Sequence, residues 1–134
     1  MNIQKTLVII KPDAVKRSIV GEILKLYEIK GLKINRMSML TASDALLETH
    51  YSAHIDKPFY KNLLAFMKSG PMIVLVLEGP DAVEVVRKIN GATNYLDAEC
   101  GSIRGLYALS VTENCVHGSD SEENALREIN IWFQ

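Results

Sequence analysis

The chain is 134 residues long, 48% hydrophobic and 23% charged, with 15 Lys and Arg against 16 Asp and Glu for a formal net charge of −1. That length suits one domain, 1–134, that buries a core without staples. The charge balance excludes general attraction to nucleic acid or an anionic membrane, so no specific nucleic acid and no membrane is expected as a partner and any anion site must be built locally. Cys100 and Cys115 are too few for a disulfide framework and match no metal spacing, so they read as partly buried thiols in a reducing compartment. The longest uncharged apolar run, Met72 to Leu77, is too short to span a bilayer, and no signal-peptide core is found near the start. A soluble, cytoplasmic protein is expected.

Thr6 to Ile10 is a continuous apolar run rich in β-branched residues, which predicts a strand buried on both faces. Val20, Ile23, Leu24 and Tyr27 form a helical stripe ended by Gly31. Lys33 to Leu40 follows as a more weakly patterned strand suited to a sheet edge. Thr41 to Asp44 opens a helix reaching about Tyr51, and Pro58 opens another that ends near Ser69-Gly70-Pro71. Met72 to Leu77 is the strongest strand signal, followed by a helix from about Asp81 to Asn90, a long loop, and a strand over Leu106 to Val111. Ala125, Leu126, Ile129, Trp132 and Phe133 share one apolar face of a final helix, with Ser119 and Glu122 as a capping box at its start. "KPDAV" at Lys11 to Val15 and "GPDAV" at Gly79 to Val83 each follow a strand and precede a helix. The order predicts an α+β, ferredoxin-like sandwich, βαββαβ, with helices on one face of an antiparallel four-stranded sheet.

On this reading His117 and Gly118 stand just outside a helix N-terminus, where unpaired amides favour an anion. A neutral imidazole there is able to attack phosphorus, while the alternative is a loop histidine bonded to a turn. His50 and His54 lie four apart, as metal ligands on a helix do, but lack the H-E-x-x-H glutamate and a clear third ligand. Neither a G-x-x-x-x-G-K loop nor a G-x-G-x-x-G turn is present, which excludes those routes to nucleotide binding. Three cations stand in unusual places: Lys11 closes the first buried strand, Arg87 lies on the helix after the third, and Arg104 lies between glycines in "GSIRG". If the sheet gathers them around His117, they form a cage for a polyphosphate.

With these residues assembled, the chain closely resembles the nucleoside diphosphate kinases. The signature N-x-x-H-G-S-D is present as Asn114 to Asp120, and the blocks "TLVIIKPDAV", "VGEI", "KPFY", "SGPM", "VLEG", "GATN" and "IRG" follow in the family's order along nearly the whole chain. The resemblance implies a kinase that moves the terminal phosphate of a nucleoside triphosphate, mainly ATP, to a nucleoside diphosphate by a ping-pong route through a phosphohistidine at His117. It implies Nδ1 as the attacking nitrogen, Glu128 on the other ring nitrogen, and Ser119 supporting the ring or the phosphate. Lys11, Arg87, Thr93 and Arg104 are implied phosphate ligands, with Tyr51 near the transferring group. Phe59 is implied to stack on the base, flanked by Leu63 and Val111, with Asn114 on the sugar. No protein metal ligand is implied, since Mg²⁺ would be held through the phosphates. Broad use of ribo- and deoxyribonucleotides and a homotetramer or homohexamer complete the expectation. The chain departs from the family pattern at Tyr95, Cys100, Ser102 and Leu106, where proline, proline, threonine and aspartate are usual, in a segment that contributes to subunit contacts in the family.

Overall fold

A computed structural model describes residues 2–133. The first strand, β1 (Ile3–Ile10), is followed at once by a short helix, α1 (Pro12–Lys16), because Pro12 cannot extend a ladder but suits the first helical turn. Helix α2 (Val20–Ile29) is the Val20-Ile23-Tyr27 stripe, and Gly31, with a φ of 83°, turns the chain into β2 (Lys33–Leu40). Ser43 caps α3 (Asp44–His50) by accepting from the Leu46 N–H at 3.2 Å. A single 3-10 turn, Ser52–His54, leads to α4 (Tyr60–Met67), two residues inside the start expected from Pro58. Strand β3 (Met72–Pro80) runs into α5 (Ala82–Asn90) through Asp81 in the left-handed region at φ 51°. The apparent repeat is therefore out of step. Pro12 begins a helix, whereas Pro80 is still the last strand residue.

After α5 the chain departs from the expected order. The apolar run Leu106 to Val111 is not a strand: Ser102 caps a short helix, α6 (Ile103–Tyr107), by accepting from the Gly105 N–H at 3.1 Å, and the chain then loops outward. Leu106, Leu109 and Val111 stay exposed, so the periodicity there marks no buried face. The fourth strand is β4 (Val116–Gly118), three residues that include His117 itself. The last helix, α7 (Glu122–Trp132), is capped by Ser121, whose Oγ accepts from the Asn124 N–H at 3.1 Å, and not by Ser119. His117 thus lies on a strand, removed from the mouth of the helix.

The four strands are antiparallel in the order β2-β3-β1-β4, which places β2 at an edge as expected. The βαββαβ skeleton holds, but helices cover both faces, which corrects the one-sided sandwich. Val8, Ile10, Leu75 and Leu77 point into one core with Ile23 and Tyr27 of α2 and Ala82 and Val86 of α5. Leu7, Ile9, Met72 and Val74 point the other way, against Leu47 of α3, Met67 of α4 and Trp132 of α7. The two-sided burial of β1 explains its unbroken apolar run, because a strand covered on both faces has no polar side to alternate with.

Candidate active site

In the β1–β4 ladder His117 stands opposite Ile9, so its side chain shares the sheet face covered by α3 and α7. Glu128, on α7, meets it there: His117 Nε2 lies 3.0 Å from Glu128 Oε1. Ser119, fully buried next to β4, donates its hydroxyl to the same oxygen at 2.6 Å. Burial pushes the Glu128 carboxyl upward. The His117 hydrogen bond and the Ser119 hydroxyl outweigh it and hold the group below the usual carboxylate range. An ionised carboxylate only accepts, so the proton of a neutral His117 ring sits on Nε2. Nδ1 then carries the free lone pair, in a side chain that lines the main cleft.

That cleft, of about 1200 Å³, is lined by Lys11, Tyr51, Phe59, Leu63, Arg87, Thr93, Arg104, Val111, Asn114 and His117, which is to say by every sequence-predicted site residue except Ser119 and Glu128. Those two stand behind the His117 ring. Lys11 leaves the end of β1 and donates to Asn114 Oδ1 at 2.8 Å, and Asn114 Nδ2 donates in turn to the Thr93 carbonyl at 3.3 Å. Burial and the nearby Arg104 charge hold the Lys11 ammonium down to about 8, so an arriving phosphate meets a cation short of a counter-charge.

Arg104 is nine-tenths buried. Its two terminal nitrogens donate to the carbonyls of Gly91 at 2.6 Å and Val116 at 2.7 Å, while Nε has no partner. Gly91, at φ 86°, has no room for a side chain because a Cβ would strike the Ser102 side chain. Arg87 is anchored from α5 to the Asp120 carbonyl at 3.1 Å. The KPDAV block also secures the strand beside it, since Asp13 Oδ2 accepts the backbone N–H of Cys115 at 3.1 Å. Cys115 sits at φ 75° and turns the chain from Asn114 into β4. Its thiol is buried, whereas Cys100 is exposed, so the two cysteines are not alike.

At the outer end, Phe59 is half exposed and its ring lies 5.6 Å from that of His54, with Val111 exposed on the lining. This leaves an aromatic face open to the cleft. Sequence reasoning weighed His50 only as half of a metal pair and Trp132 only as part of an apolar helix face. Buried His50 lies edge-on to His117, ring centroids 4.8 Å apart at 78°, and its Nδ1 accepts the Trp132 indole N–H at 3.0 Å. Nothing in the sequence signals this, because it joins residues 82 positions apart.

His50, His117 and Glu128 offer ligand atoms within 4.8 Å of one another, but the arrangement does not suit a metal. A ligating imidazole ordinarily donates its second ring N–H to an acceptor. Here the second nitrogen of His50 faces a donor, so the ring proton is forced onto Nε2 and no lone pair remains there. His54 is exposed and lies in the 3-10 turn beyond α3, so the two histidines that stand four apart in the sequence do not share one helix.

The family profile described as nucleoside diphosphate kinase matches residues 4–134. The chain is 56% identical over 128 residues to a nucleoside diphosphate kinase of Caldanaerobacter subterraneus subsp. tengcongensis, covering 96% of this chain and 92% of that protein. It is 49% identical over 133 residues to one from Clostridium perfringens, covering 99% and 93%. Among solved structures, a nucleoside diphosphate kinase of Encephalitozoon cuniculi in an apo form superposes with a TM-score of 0.95 at 40% identity over 97% of this chain and 88% of that one. One from Aquifex aeolicus superposes with a TM-score of 0.95 at 35% identity over 99% and 96%.

Proposed function

The chain belongs to the nucleoside diphosphate kinase family and is a phosphotransferase of that kind, and from this premise we propose that His117 carries the phosphoryl group between nucleotides. The observation that supports it most is the wiring of Glu128, which takes the Nε2–H of His117 and leaves Nδ1 free. The Nδ1 lone pair attacks the terminal phosphorus of a nucleoside triphosphate, the bond from that phosphorus to the bridging oxygen breaks, and the diphosphate departs with the electron pair. A second diphosphate then attacks the phosphorus through a terminal oxygen, and the N–P bond breaks. One anhydride is replaced by another, so the intermediate has to keep a high transfer potential. Phosphohistidine keeps it, and a serine ester would not. The positive charge that develops on the ring is offset by the Glu128 carboxylate, which the Ser119 hydroxyl holds in place.

Lys11, Arg87 and Arg104, with Thr93, are the proposed phosphate ligands, Tyr51 stands by the transferring group, and Asn114 takes the sugar. The cleft lining carries Lys11, Arg87, Lys88 and Arg104 beside Asp97, Glu99 and Asp120, and these three carboxylates form no cluster among the described residues, which suits a Mg²⁺ ion that would be held through the phosphates. That ion would neutralise charge on the phosphates. Phe59, with Leu63 and Val111, offers a stacking face and no base-edge pairing, so purine and pyrimidine diphosphates are expected to be phosphorylated at rates within about tenfold of one another. An acceptor panel checks this, and exclusive use of guanine nucleotides would contradict it.

Self-association is proposed as well, through the segment 94–107, where Leu96 is 75% and Leu106 51% exposed. Sedimentation is expected to find an oligomer, and a monomer at micromolar concentration would refute it. Among the described residues no helix is long and apolar enough to cross a membrane. The mechanism is tested by incubating the protein with ATP labelled on the terminal phosphate and no acceptor. Acid-labile, base-stable label on the protein is expected. Bound nucleotide without label would overturn the mechanism.

A further inference from the structure

A single hydrogen bond fixes one point of an imidazole ring and leaves its plane free to swing. His117 has that bond to Glu128, and it has a second constraint on its face. The edge of His50 lies against it at 4.8 Å and 78°. His50 itself is not free to turn, because the Trp132 indole N–H holds its Nδ1 and Tyr51 packs edge-on at 4.6 Å. Glu128 and Trp132 are four apart on α7, hence on one helix face, so a single helix anchors both histidines. We propose that His50 is a positioning residue for phosphoryl transfer: its ring, locked by Trp132, sets the plane of the His117 imidazole so that Nε2 stays on Glu128 and Nδ1 stays turned to the cleft.

The groups around His50 suit this role. His117 faces it from β4, Glu128 and Arg127 from α7, Lys11 from the end of β1, and Tyr51 from the end of α3. Burial, with the His117 and Arg127 charges, holds its ionisation down to about 3, against the opposing pull of Glu128. A neutral ring attracts the carboxylate less than a charged one. A charged one would draw Glu128 away and release the nucleophile. His50 touches neither substrate nor the reacting atoms, so its effect is expected on the rate of the chemical step and not on nucleotide affinity.

The inference rests on His117 as the nucleophile, and the test separates the two. The Trp132→Phe protein, whose His50 ring is unlocked, is itself expected to transfer more slowly than the unaltered protein, and an equal rate would overturn the lock. In that background, which leaves no orphaned indole N–H, His50 is changed to Phe, which keeps a ring at the contact, or to Leu, which fills volume without one. Rapid quench with saturating labelled ATP gives the rate of phosphoenzyme formation, and equilibrium titration gives the nucleotide dissociation constant. The Phe form is expected to transfer within about threefold of the Trp132→Phe parent, and the Leu form about 10- to 100-fold slower, with affinities equal within about twofold. The proton resonance of His117 Nε2–H should be retained in the Phe form and broadened in the Leu form. Equal transfer rates in the two forms, or a slower rate matched by an equal loss of affinity, would overturn the positioning role. Absence of label on His117 in the unaltered protein would instead overturn the transfer mechanism.

Discussion

Replacing His117 with glutamine is expected to abolish both turnover and labelling of the protein while nucleotide binding survives. Glutamine keeps comparable bulk and a donor that Glu128 Oε1 can accept in place of the ring N–H now held at 3.0 Å. It has no nitrogen lone pair able to attack phosphorus. Because both half-reactions pass through the same atom, the loss is not graded: the phosphoenzyme does not form, and no acceptor rescues it. The nucleotide contacts proposed for Lys11, Arg87, Phe59 and Asn114 are untouched, so the dissociation constant, measured by calorimetry, should stay within about threefold of the unaltered protein. The reactivity of Ser119 separates mechanisms here. Its hydroxyl is committed to Glu128 at 2.6 Å and is fully buried, so label should not migrate to it. Undiminished labelling of Ser119 or Ser121 would show that His117 is not the carrier.

Replacing Arg104 with alanine is expected to act differently, slowing phosphoenzyme formation by about 10³-fold or more without abolishing it. In the proposed role, charge on the equatorial oxygens of the transferring phosphoryl group would be matched by the buried guanidinium, a match stronger in the transition state than in the bound triphosphate. Arg104 also has a structural task. It ties the Gly91 carbonyl after α5 to the Val116 carbonyl on β4, the residue next to His117. Alanine leaves both carbonyls without this donor, at a cost to folding of about 1–3 kcal/mol for each that remains buried. The variant should therefore lose thermal stability as well as rate. Guanidinium ion added to the buffer should restore part of the rate, since it returns the charge but not the tether. A rate loss below tenfold would remove Arg104 from the transfer step.

Much of the site was legible because its parts lie in short blocks whose local chemistry is self-contained. The N-x-x-H-G-S-D block carries Asn114, His117 and Ser119 together, and KPDAV carries Lys11 beside a proline that has to end the strand. The buried strands β1 and β3 were legible for a related reason. A strand covered on both faces writes its burial as an unbroken apolar run. Reading failed where the local signal pointed the wrong way. Leu106 to Val111 looked like a strand, but a serine cap starts a helix over Ile103–Tyr107 and the leucines stay outside. Ser119 looked like a helix cap, yet Ser121 takes that place because Ser119 is drawn to the Glu128 carboxylate.

By itself the sequence determined the first three strands and the longer helices up to α5, though not the short α1 or the 3-10 turn at Ser52–His54, together with the edge position of β2 and the family with its N-x-x-H-G-S-D block. Each of these is written within a few residues of chain, in periodicity, proline placement or motif order. Only the tertiary structure decided that both sheet faces are covered, that β4 is the three residues holding His117, and that His50 and Trp132 stand behind the His117 ring. These depend on pairs far apart in sequence, such as Ile9 with His117 and His50 with Trp132. A ladder of three residues is too short to leave a periodic trace, and one buried indole–imidazole hydrogen bond leaves none.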